Sequence, residues 1–423
     1  MEICMKKTAH KHARFLVFSL AALSFLAAGC SNQGNDTGSK NPEGNGATKK
    51  ETIEKEESLF IVKDNDVIIT KSTGHNPICG YKGTGNYTYG GDPFVLADGD
   101  TVYLYTGHDL SDDSEVSRAV YNIPEYLCYS TTDMKEWKEE GSVFTLDTDN
   151  VKWASQITKY KDKYYLYFCT WDKTSLGKQS IGVAVSDSPT GGFKDIGRPL
   201  VQGTLTAPES NSWDDIDPAV WTETDKDGTE HHYLAWGNSK FYVCGLNEDM
   251  VSVKDLNGDG EITCGTKEDN ADIINNQEGL DYYTEAPWLY HRQDENGQYY
   301  GKYYLFYAYG WRERMAYAVT DDPLHGSWEF GKILMLPTAT SNTNHMAVFD
   351  FKGKTYFVYH NGSLPGGNGY RRSPCITELH FDDEKMAVKF HMNFLLIHLV
   401  IMNTLTQRLK QAQTLAWIKI MNG

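Results

Sequence analysis

The chain has 423 residues, and its 57 acidic side chains outnumber 40 basic ones, which gives a formal charge of −17. The acidic excess disfavours general nucleic-acid binding, which needs a basic surface, and the negative mean hydropathy excludes an integral membrane protein. Aromatic residues make up 13% of the chain, and 27 of them are Tyr, which favours many half-buried strands over a helical bundle.

The N-terminal segment has the features of a bacterial lipoprotein signal. Basic residues precede an apolar run over residues 15–28, which is too short to cross a bilayer. The run ends in Leu26-Ala-Ala-Gly-Cys30, which resembles a bacterial lipobox; ordinary signal cleavage near Ala28 is the alternative. We predict a signal peptide over 1–29, lipidation of Cys30 and localisation to the bacterial cell envelope, with membrane contact through the lipid anchor only.

A polar segment follows the predicted signal. Residues 30–57 are rich in Asn, Gly, Ser, Lys and Glu and contain almost no apolar side chains. A segment of this composition cannot bury a core. We therefore predict that it is a flexible tether.

Five stretches of the chain then repeat one pattern: a short apolar strand, a polar turn, a Tyr-rich strand and a further strand. They begin at Asp92, Trp153, Asp217, Glu285 and His345, so the pattern recurs every 60 to 68 residues. Repeats of this length made of short strands are typical of propeller blades, and no segment with helical periodicity interrupts them. The sequence predicts an all-β, five-bladed β-propeller over residues 75–385, with a β-sandwich as the alternative.

Three carboxylates occupy equivalent positions in these repeats: Asp92, Asp217 and Glu285. The first strand of each propeller blade lines the central channel, so we expect the three to meet at one end of it. Like charges and partial burial should raise at least one pKa there. Such a group suits glycoside hydrolysis, in which one carboxyl protonates the leaving oxygen and another activates water. Each residue taken alone is more simply read as a strand-start or turn residue.

The motifs around these carboxylates resemble glycoside hydrolase family 43, a family of inverting enzymes with a five-bladed propeller. The resemblance covers about residues 76–383 and rests on Asp92-Pro-Phe94, Ile216-Asp-Pro218 and Thr284-Glu-Ala-Pro287. It implies that Asp92 is the general base, that Glu285 is the general acid, and that Asp217 orients the acid and tunes its pKa. One departure is Trp153-Ala-Ser155 in place of the common Trp-Ala-Pro, which removes no catalytic group.

Aromatic and polar residues near the predicted mouth are candidates for substrate binding. Sugar faces stack well on Trp rings, although a single Trp is more often a core residue. Further candidates, His108 and Asp109, follow the second strand of blade one. The resemblance adds Arg371 and Arg372, one of which is expected to contact the sugar. The Trp candidates are Trp153, Trp171, Trp288 and Trp311.

No cofactor is expected to be required, but two places in the sequence suggest calcium. Asp255, Asn257 and Asp259 have the spacing of an EF-hand loop, yet Thr266 replaces the bidentate Glu of the twelfth position. Weak calcium binding and a plain acidic turn are the two interpretations of this loop. The resemblance also implies that His345 lies near the channel centre, either linked to a calcium ion or as a hydrogen-bonded core residue.

The C-terminal tail differs from the rest of the chain. Residues 390–423 contain no Asp or Glu, although the chain as a whole is acidic. We interpret this atypical tail as the result of a reading frame disrupted after about Lys389. A helix that packs on the propeller is the alternative.

These features together predict an inverting, lipid-anchored, exo-acting glycosidase of plant cell-wall polysaccharide, with arabinoxylan or a related oligosaccharide as its partner. The motifs Thr106-Gly-His-Asp109 and Gly362-Ser-Leu-Pro-Gly-Gly367 look nearest to arabinofuranosidase-like family members, so we predict release of α-L-arabinofuranose. β-D-Xylosidase activity is the alternative. A non-catalytic carbohydrate-binding surface lipoprotein is a hypothesis of another class, which the retention of all three carboxylates disfavours.

Overall fold

The aromatic and β-branched residues of the repeats form short strands joined by tight turns, as their composition predicts. The computed structural model describes residues 60–62, 67–69, 76–80, 87–145, 153–172, 178–206, 213–338, 340–341, 343–382 and 387–390, all within one compact unit, 58–423. The predicted signal peptide, the tether, Cys30 and residues 391–423 of the atypical tail lie outside the described residues.

The first two blades are four-stranded antiparallel sheets whose strands lie side by side in chain order. A separate hairpin of β1 (Phe60–Val62) and β2 (Val67–Ile69) precedes them. Blade one consists of β3 (Gly90–Asp98), β4 (Thr101–His108), β5 (Glu125–Thr131) and β6 (Lys138–Thr145). Blade two consists of β7 (Ser155–Tyr160), β8 (Lys163–Asp172), β9 (Lys178–Ser186) and β10 (Lys194–Asp195).

Blade three has five strands, because an insertion adds a short parallel pair at its outer edge. Its strands are β11 (Ala219–Thr224), β12 (Glu230–Trp236), β13 (Tyr242–Gly245), β14 (Cys264–Gly265) and β15 (Ile273–Asn275). In the sheet β15 lies next to β13, and β14 pairs with β15 in parallel. The candidate calcium loop lies within this insertion.

Blades four and five return to four antiparallel strands in chain order. Blade four consists of β16 (Tyr283–Gln293), β17 (Tyr299–Tyr309), β18 (Arg314–Thr320) and β19 (Glu329–Met335). Blade five consists of β20 (Ala347–Phe351), β21 (Lys354–Asn361), β22 (Ser373–Asp382) and β23 (Ala387–Phe390). The two-residue turn between β20 and β21 has positive φ at both Lys352 (50°) and Gly353 (73°), which matches the twist of a tight hairpin.

The first strands of the blades close into a ring. Strand β3 contacts β7, β7 contacts β11, β11 contacts β16, β16 contacts β20, and β20 contacts β3. Buried aromatic and aliphatic side chains fill the spaces between neighbouring blades. The predicted five-bladed propeller is therefore confirmed.

Two short helices lie in connections between strands. Helix α1 (Asp113–Ser117) lies between β4 and β5, and Asp112 and Glu115 form a capping box at its start. Helix α2 (Gly203–Thr206) follows blade two. Across the described ranges, no helix is long and apolar enough to cross a membrane.

Candidate active site

The three predicted carboxylates lie where irregular backbone interrupts or precedes the inner strands. Asp92 is in β3 with φ of 49°, at a register shift between Gly91 and Phe94. Asp217, with φ of 59°, comes two residues before β11. Glu285 is in β16 between two register shifts. Bulges of this kind redirect a side chain, and all three line one cavity of about 610 Å³.

The same cavity receives residues from the connections between second and third strands. Antiparallel strands alternate in direction, so this connection returns to the end at which the first strand begins. The cavity-lining residues from these connections are Tyr121, Asn238, Trp311, Glu313, Tyr370 and Arg372.

Among the residues that the structure describes, Arg372 is the one Arg or Lys side chain that lines the cavity. Its side chain is 1% exposed, and its Nη1 donates to Asp92 Oδ1 at 2.6 Å. Its Nε donates to Asp109 Oδ2 at 2.9 Å, its Nη2 donates to Asp109 Oδ1 at 3.0 Å, and its guanidinium lies 4.7 Å from the centre of the Tyr121 ring. A side chain at Gly91 would overlap the guanidinium, so glycine is required there.

The surroundings of Asp92 favour its ionised form. Burial opposes ionisation, but the charge and hydrogen bond of Arg372, together with His360 and His345, outweigh burial and hold the pKa of Asp92 below its ordinary value. The backbone N–H of Asp92 donates to Nδ1 of His360 at 3.1 Å, and Nε2 of that ring lies 2.8 Å from the Thr343 carbonyl oxygen. Burial lowers the pKa of His360 to about 3 and that of His345 to about 4, so both imidazoles are neutral near pH 7.

The surroundings of the other two predicted carboxylates, Asp217 and Glu285, favour their protonated forms. Burial raises the pKa of Asp217 well above its ordinary value, and the negative charges of Glu285 and Asp92 raise it further. Burial also raises the pKa of Glu285, against the hydrogen bonds that Glu313 and Asn238 make to it. Asp217 Oδ2 accepts the backbone N–H of Ala286 at 3.1 Å, which ties it to the strand that carries Glu285. One cavity therefore contains a carboxyl group whose pKa is lowered, that of Asp92, and two whose pKa values are raised, those of Asp217 and Glu285.

Two residues beside Glu285 were missed by the sequence analysis. Asn238 donates from Nδ2 to Glu285 Oε2 at 2.6 Å, and its own backbone N–H donates to the Asp214 carbonyl oxygen at 3.2 Å. Glu313 is 1% exposed and lines the cavity next to Glu285. Both follow the second strand of their blade, the same kind of position as the predicted residues Asp109, Trp311 and Arg372.

The predicted Trp residues have different environments. Trp153 lines the cavity and stacks on Trp213, with ring centres 4.7 Å apart and an interplanar angle of 15°. Trp311 also lines the cavity and is 74% exposed, so its ring is available to a sugar. Trp288 lies in the core, where its Nε1 donates to the Val348 carbonyl oxygen at 2.8 Å. The side chain of Trp171 lies outside the described residues.

Three predicted polar residues do not line the cavity. His108 pairs through Nδ1 with Glu125 at 2.7 Å. Arg371 pairs with Asp113 at 2.7 Å at the surface, so Arg372 is the member of the Arg pair that reaches the cavity. Asp109 is buried behind the wall and acts on the site through Arg372.

The residues predicted to bind calcium do not come together as a set of metal ligands. In the loop, the side-chain oxygens of Asp255, Asn257 and Asp259 accept backbone N–H groups of the loop itself. His345 lines the cavity beside Arg372, an unfavourable neighbour for a cation. In the part of the chain that the structure describes, no group of three or more His, Cys, Asp or Glu side chains could hold a metal ion. The calcium predictions therefore stay predictions.

Comparison with known proteins identifies the family. The family model described as "Glycosyl hydrolases family 43" matches residues 87–386, which include the three carboxylates and every blade strand except β23. The chain belongs to glycoside hydrolase family 43. The predicted family and the predicted class of enzyme are thereby confirmed.

Individual members of family 43 are similar over most of the chain. A xylosidase/arabinosidase of Bacteroides ovatus is 28% identical over 70% of this chain and 92% of its own length. An arabinoxylan arabinofuranohydrolase of Paenibacillus polymyxa is 27% identical over 81% of this chain and 55% of its own length. The solved structure of an α-L-arabinofuranosidase from Clostridium thermocellum superposes with a TM-score of 0.54 at 29% identity, covering 71% of this chain and 93% of that one.

Proposed function

We propose that this family 43 chain is an inverting exo-glycosidase that releases α-L-arabinofuranose from arabinoxylan, with Asp92 as general base and Glu285 as general acid. The observation that carries the proposal is the divergence of their pKa values within one cavity: that of Asp92 is lowered and that of Glu285 is raised. Divergent pKa values of facing carboxyls are what an acid/base pair requires.

The reaction uses these two groups in opposite protonation states. Asp92, kept ionised by Arg372, accepts a proton from a water molecule as that water attacks the anomeric carbon. Glu285 gives its proton to the glycosidic oxygen, so the leaving group departs as a neutral alcohol. Asp217 accepts the backbone N–H of Ala286, next to Glu285, and so fixes the strand that presents the acid.

The proposed sugar specificity is based on the names of similar proteins. The two sequence relatives described above are named as a xylosidase/arabinosidase and as an arabinoxylan arabinofuranohydrolase, and the Clostridium thermocellum structure as an α-L-arabinofuranosidase. Arabinofuranose and xylopyranose present similar hydroxyl groups, so the pocket shape decides between them. β-D-Xylosidase activity is the second candidate.

The test compares kcat/KM on p-nitrophenyl α-L-arabinofuranoside and β-D-xylopyranoside, followed by arabinose release from arabinoxylan. We expect preference for the arabinofuranoside. A preference for the xyloside with no arabinose released from polymer would overturn the sugar assignment alone. Absence of activity on a wide panel of aryl glycosides and oligosaccharides would instead support the non-catalytic carbohydrate-binding alternative.

We further propose that the chain is exported and lipid-anchored at Cys30, on the basis of the basic and apolar N-terminal segment and its lipobox-like end. The expected result is recovery of the protein in the membrane fraction of a bacterial host, with incorporation of labelled fatty acid. Cys30→Ala should abolish the labelling. Labelling that persists in this variant would contradict the proposal.

We also propose that calcium is not required for turnover, because Asp92 and Glu285 together supply both proton transfers. Activity should survive dialysis against a chelator. A loss of activity that added calcium restores would show that the ion has a necessary role.

A further inference from the structure

A fourth carboxyl group, Glu313, lies beside the proposed acid. It is in the connection between β17 and β18, is 1% exposed and lines the same cavity as Glu285. Its Oε2 accepts the backbone N–H of Asn344 at 2.6 Å, and its carbonyl oxygen accepts the Asn344 side-chain amide. Its carboxyl group also hydrogen-bonds the carboxyl group of Glu285. The side chain is therefore fixed between blade five and the acid.

A hydrogen bond between two carboxyl groups requires a proton on one of them, since carboxylates are acceptors only. Burial and the charge of Glu285 raise the pKa of Glu313 well above its ordinary value. The hydrogen bond from Glu313 acts in the opposite direction on Glu285 and favours its ionised form. Glu313 is thus the member of the pair that keeps its proton when Glu285 ionises.

Other charged groups around the pair do not neutralise it. Arg372 is hydrogen-bonded to Asp92 and Asp109, and His345 is neutral near pH 7 because burial lowers its pKa to about 4. The titratable or charged groups that surround the pair come from all five blades: Asp92, Cys169, Asp217, Tyr283, His345 and Arg372.

We propose that Glu313 is a positioning residue that acts as a neutral hydrogen-bond donor to Glu285. Together with the amide of Asn238 it holds Glu285 between two donors, which fixes the direction of the acid and stabilises the carboxylate that remains after proton transfer. In that step the O–H bond of Glu285 breaks and an O–H bond forms on the leaving oxygen, while the O–H bond of Glu313 stays intact. The role rests on the proposed function of Glu285.

The test compares two variants of Glu313 in the full chain. Glu313→Gln keeps a neutral donor for Glu285 and an acceptor for Asn344, so kcat/KM should stay within about threefold of the wild type and the basic limb of its pH profile should not move. Glu313→Met has a similar size but no donor. It should lower kcat by about 10- to 100-fold, the range for one hydrogen bond to a charged group. Its basic limb should move to higher pH, because the carboxylate of Glu285 has lost a stabilising donor.

Asn238→Ala is the matched control, since it removes the other donor and should move the basic limb in the same upward direction. A merely structural role for Glu313 would lower activity without moving the limb, and would refute the proposal. If Glu313 were ionised in the wild type, Glu313→Gln would remove a neighbouring negative charge and move the limb to lower pH, which would also refute it.

An infrared measurement separates this inference from the glycosidase assignment, because it needs no turnover. Wild type minus Glu313→Gln difference spectra, recorded above the basic limb, should show one additional C=O band of a protonated carboxyl in the wild type. Asp217→Asn identifies the separate band of that residue. The absence of a Glu313 band would overturn the inference even in an active enzyme, whereas its presence in a chain without glycosidase activity would refute only the proposed function.

Discussion

Replacing Arg372 by Met is expected to have two separable effects, one on stability and one on the base. The guanidinium makes two hydrogen bonds to Asp109, of 2.9 and 3.0 Å, and one of 2.6 Å to Asp92. The side chain of Asp109 is 0% exposed, so the substitution leaves a buried carboxyl without its cation. Removing one partner of a buried pair typically costs about 3–5 kcal/mol, and we expect a loss of that size.

The effect on the base follows from the sign of the interaction. Arg372 stabilises ionised Asp92 and lowers its pKa, so without the cation Asp92 stays protonated to higher pH. The acid limb of the kcat/KM profile should therefore move to higher pH. Arg372→Lys retains the charge but not the two-pronged geometry and should move the limb less.

Urea unfolding of the variant, alone and combined with Asp109→Asn, measures the stability effect. The double variant should recover much of the loss, since the buried group is then a neutral amide. A loss below about 1 kcal/mol in Arg372→Met, together with an acid limb that does not move, would refute this account of the Arg372 pairs.

Four further predictions concern other parts of the molecule. Asp92→Asn and Glu285→Gln should each lower kcat by at least about 100-fold in protein that still folds, and proton NMR of the first product should show inversion; near wild-type turnover in either variant would contradict the assigned roles. Trp311→Ala should raise KM for arabinoxylan without changing stability, whereas Trp288→Ala should destabilise the core by about 3–5 kcal/mol, as measured by unfolding; the reverse pattern would exchange their assignments. Gly91→Ala should reproduce the acid-limb shift of Arg372→Met, because a side chain there displaces the guanidinium; an unchanged pH profile would show that the guanidinium tolerates it. Burial opposes the ionisation of Glu223, but hydrogen bonds from His291, Tyr303 and Trp221 outweigh burial and lower the pKa of Glu223. The contribution of ionised Glu223 to stability is therefore present above about pH 4.5 and is lost on acidification through its folded pKa. Glu223→Gln should flatten that loss in acid-unfolding curves, and an unchanged slope would contradict this prediction.

The repeat pattern was sufficient to predict the blades and to bring three carboxylates into one cavity. The starts of the repeats coincide with the beginnings of the inner strands, where side chains converge on the channel. Alternation along a strand could not predict the environment of Trp288, because register shifts on both sides of Glu285 change which face the next residues occupy.

Asn238 and Glu313 could have been found from topology. The connection between second and third strands returns to the cavity end of the blade, and the polar residues predicted there were His108, Asp109, Arg371 and Arg372, which leaves out blades three and four. The pairing of Glu313 with Glu285 could not be predicted, because it depends on how closely the two side chains of blade four approach each other in the folded chain. The choice of Arg372 over Arg371 likewise depends on space beside Gly91 that only the folded chain defines.

The left-handed backbone at Asp92 and Asp217 limits how inactive variants of these residues can be interpreted. With φ of 49° and 59°, both positions suit Asp and Asn but strain β-branched side chains. In a library that samples all amino acids there, Val and Ile variants should be lost from the soluble pool, while Asn variants should accumulate normally without turning over substrate. Protein abundance and activity must therefore be scored separately, and Asn is the substitution that isolates chemistry from backbone strain.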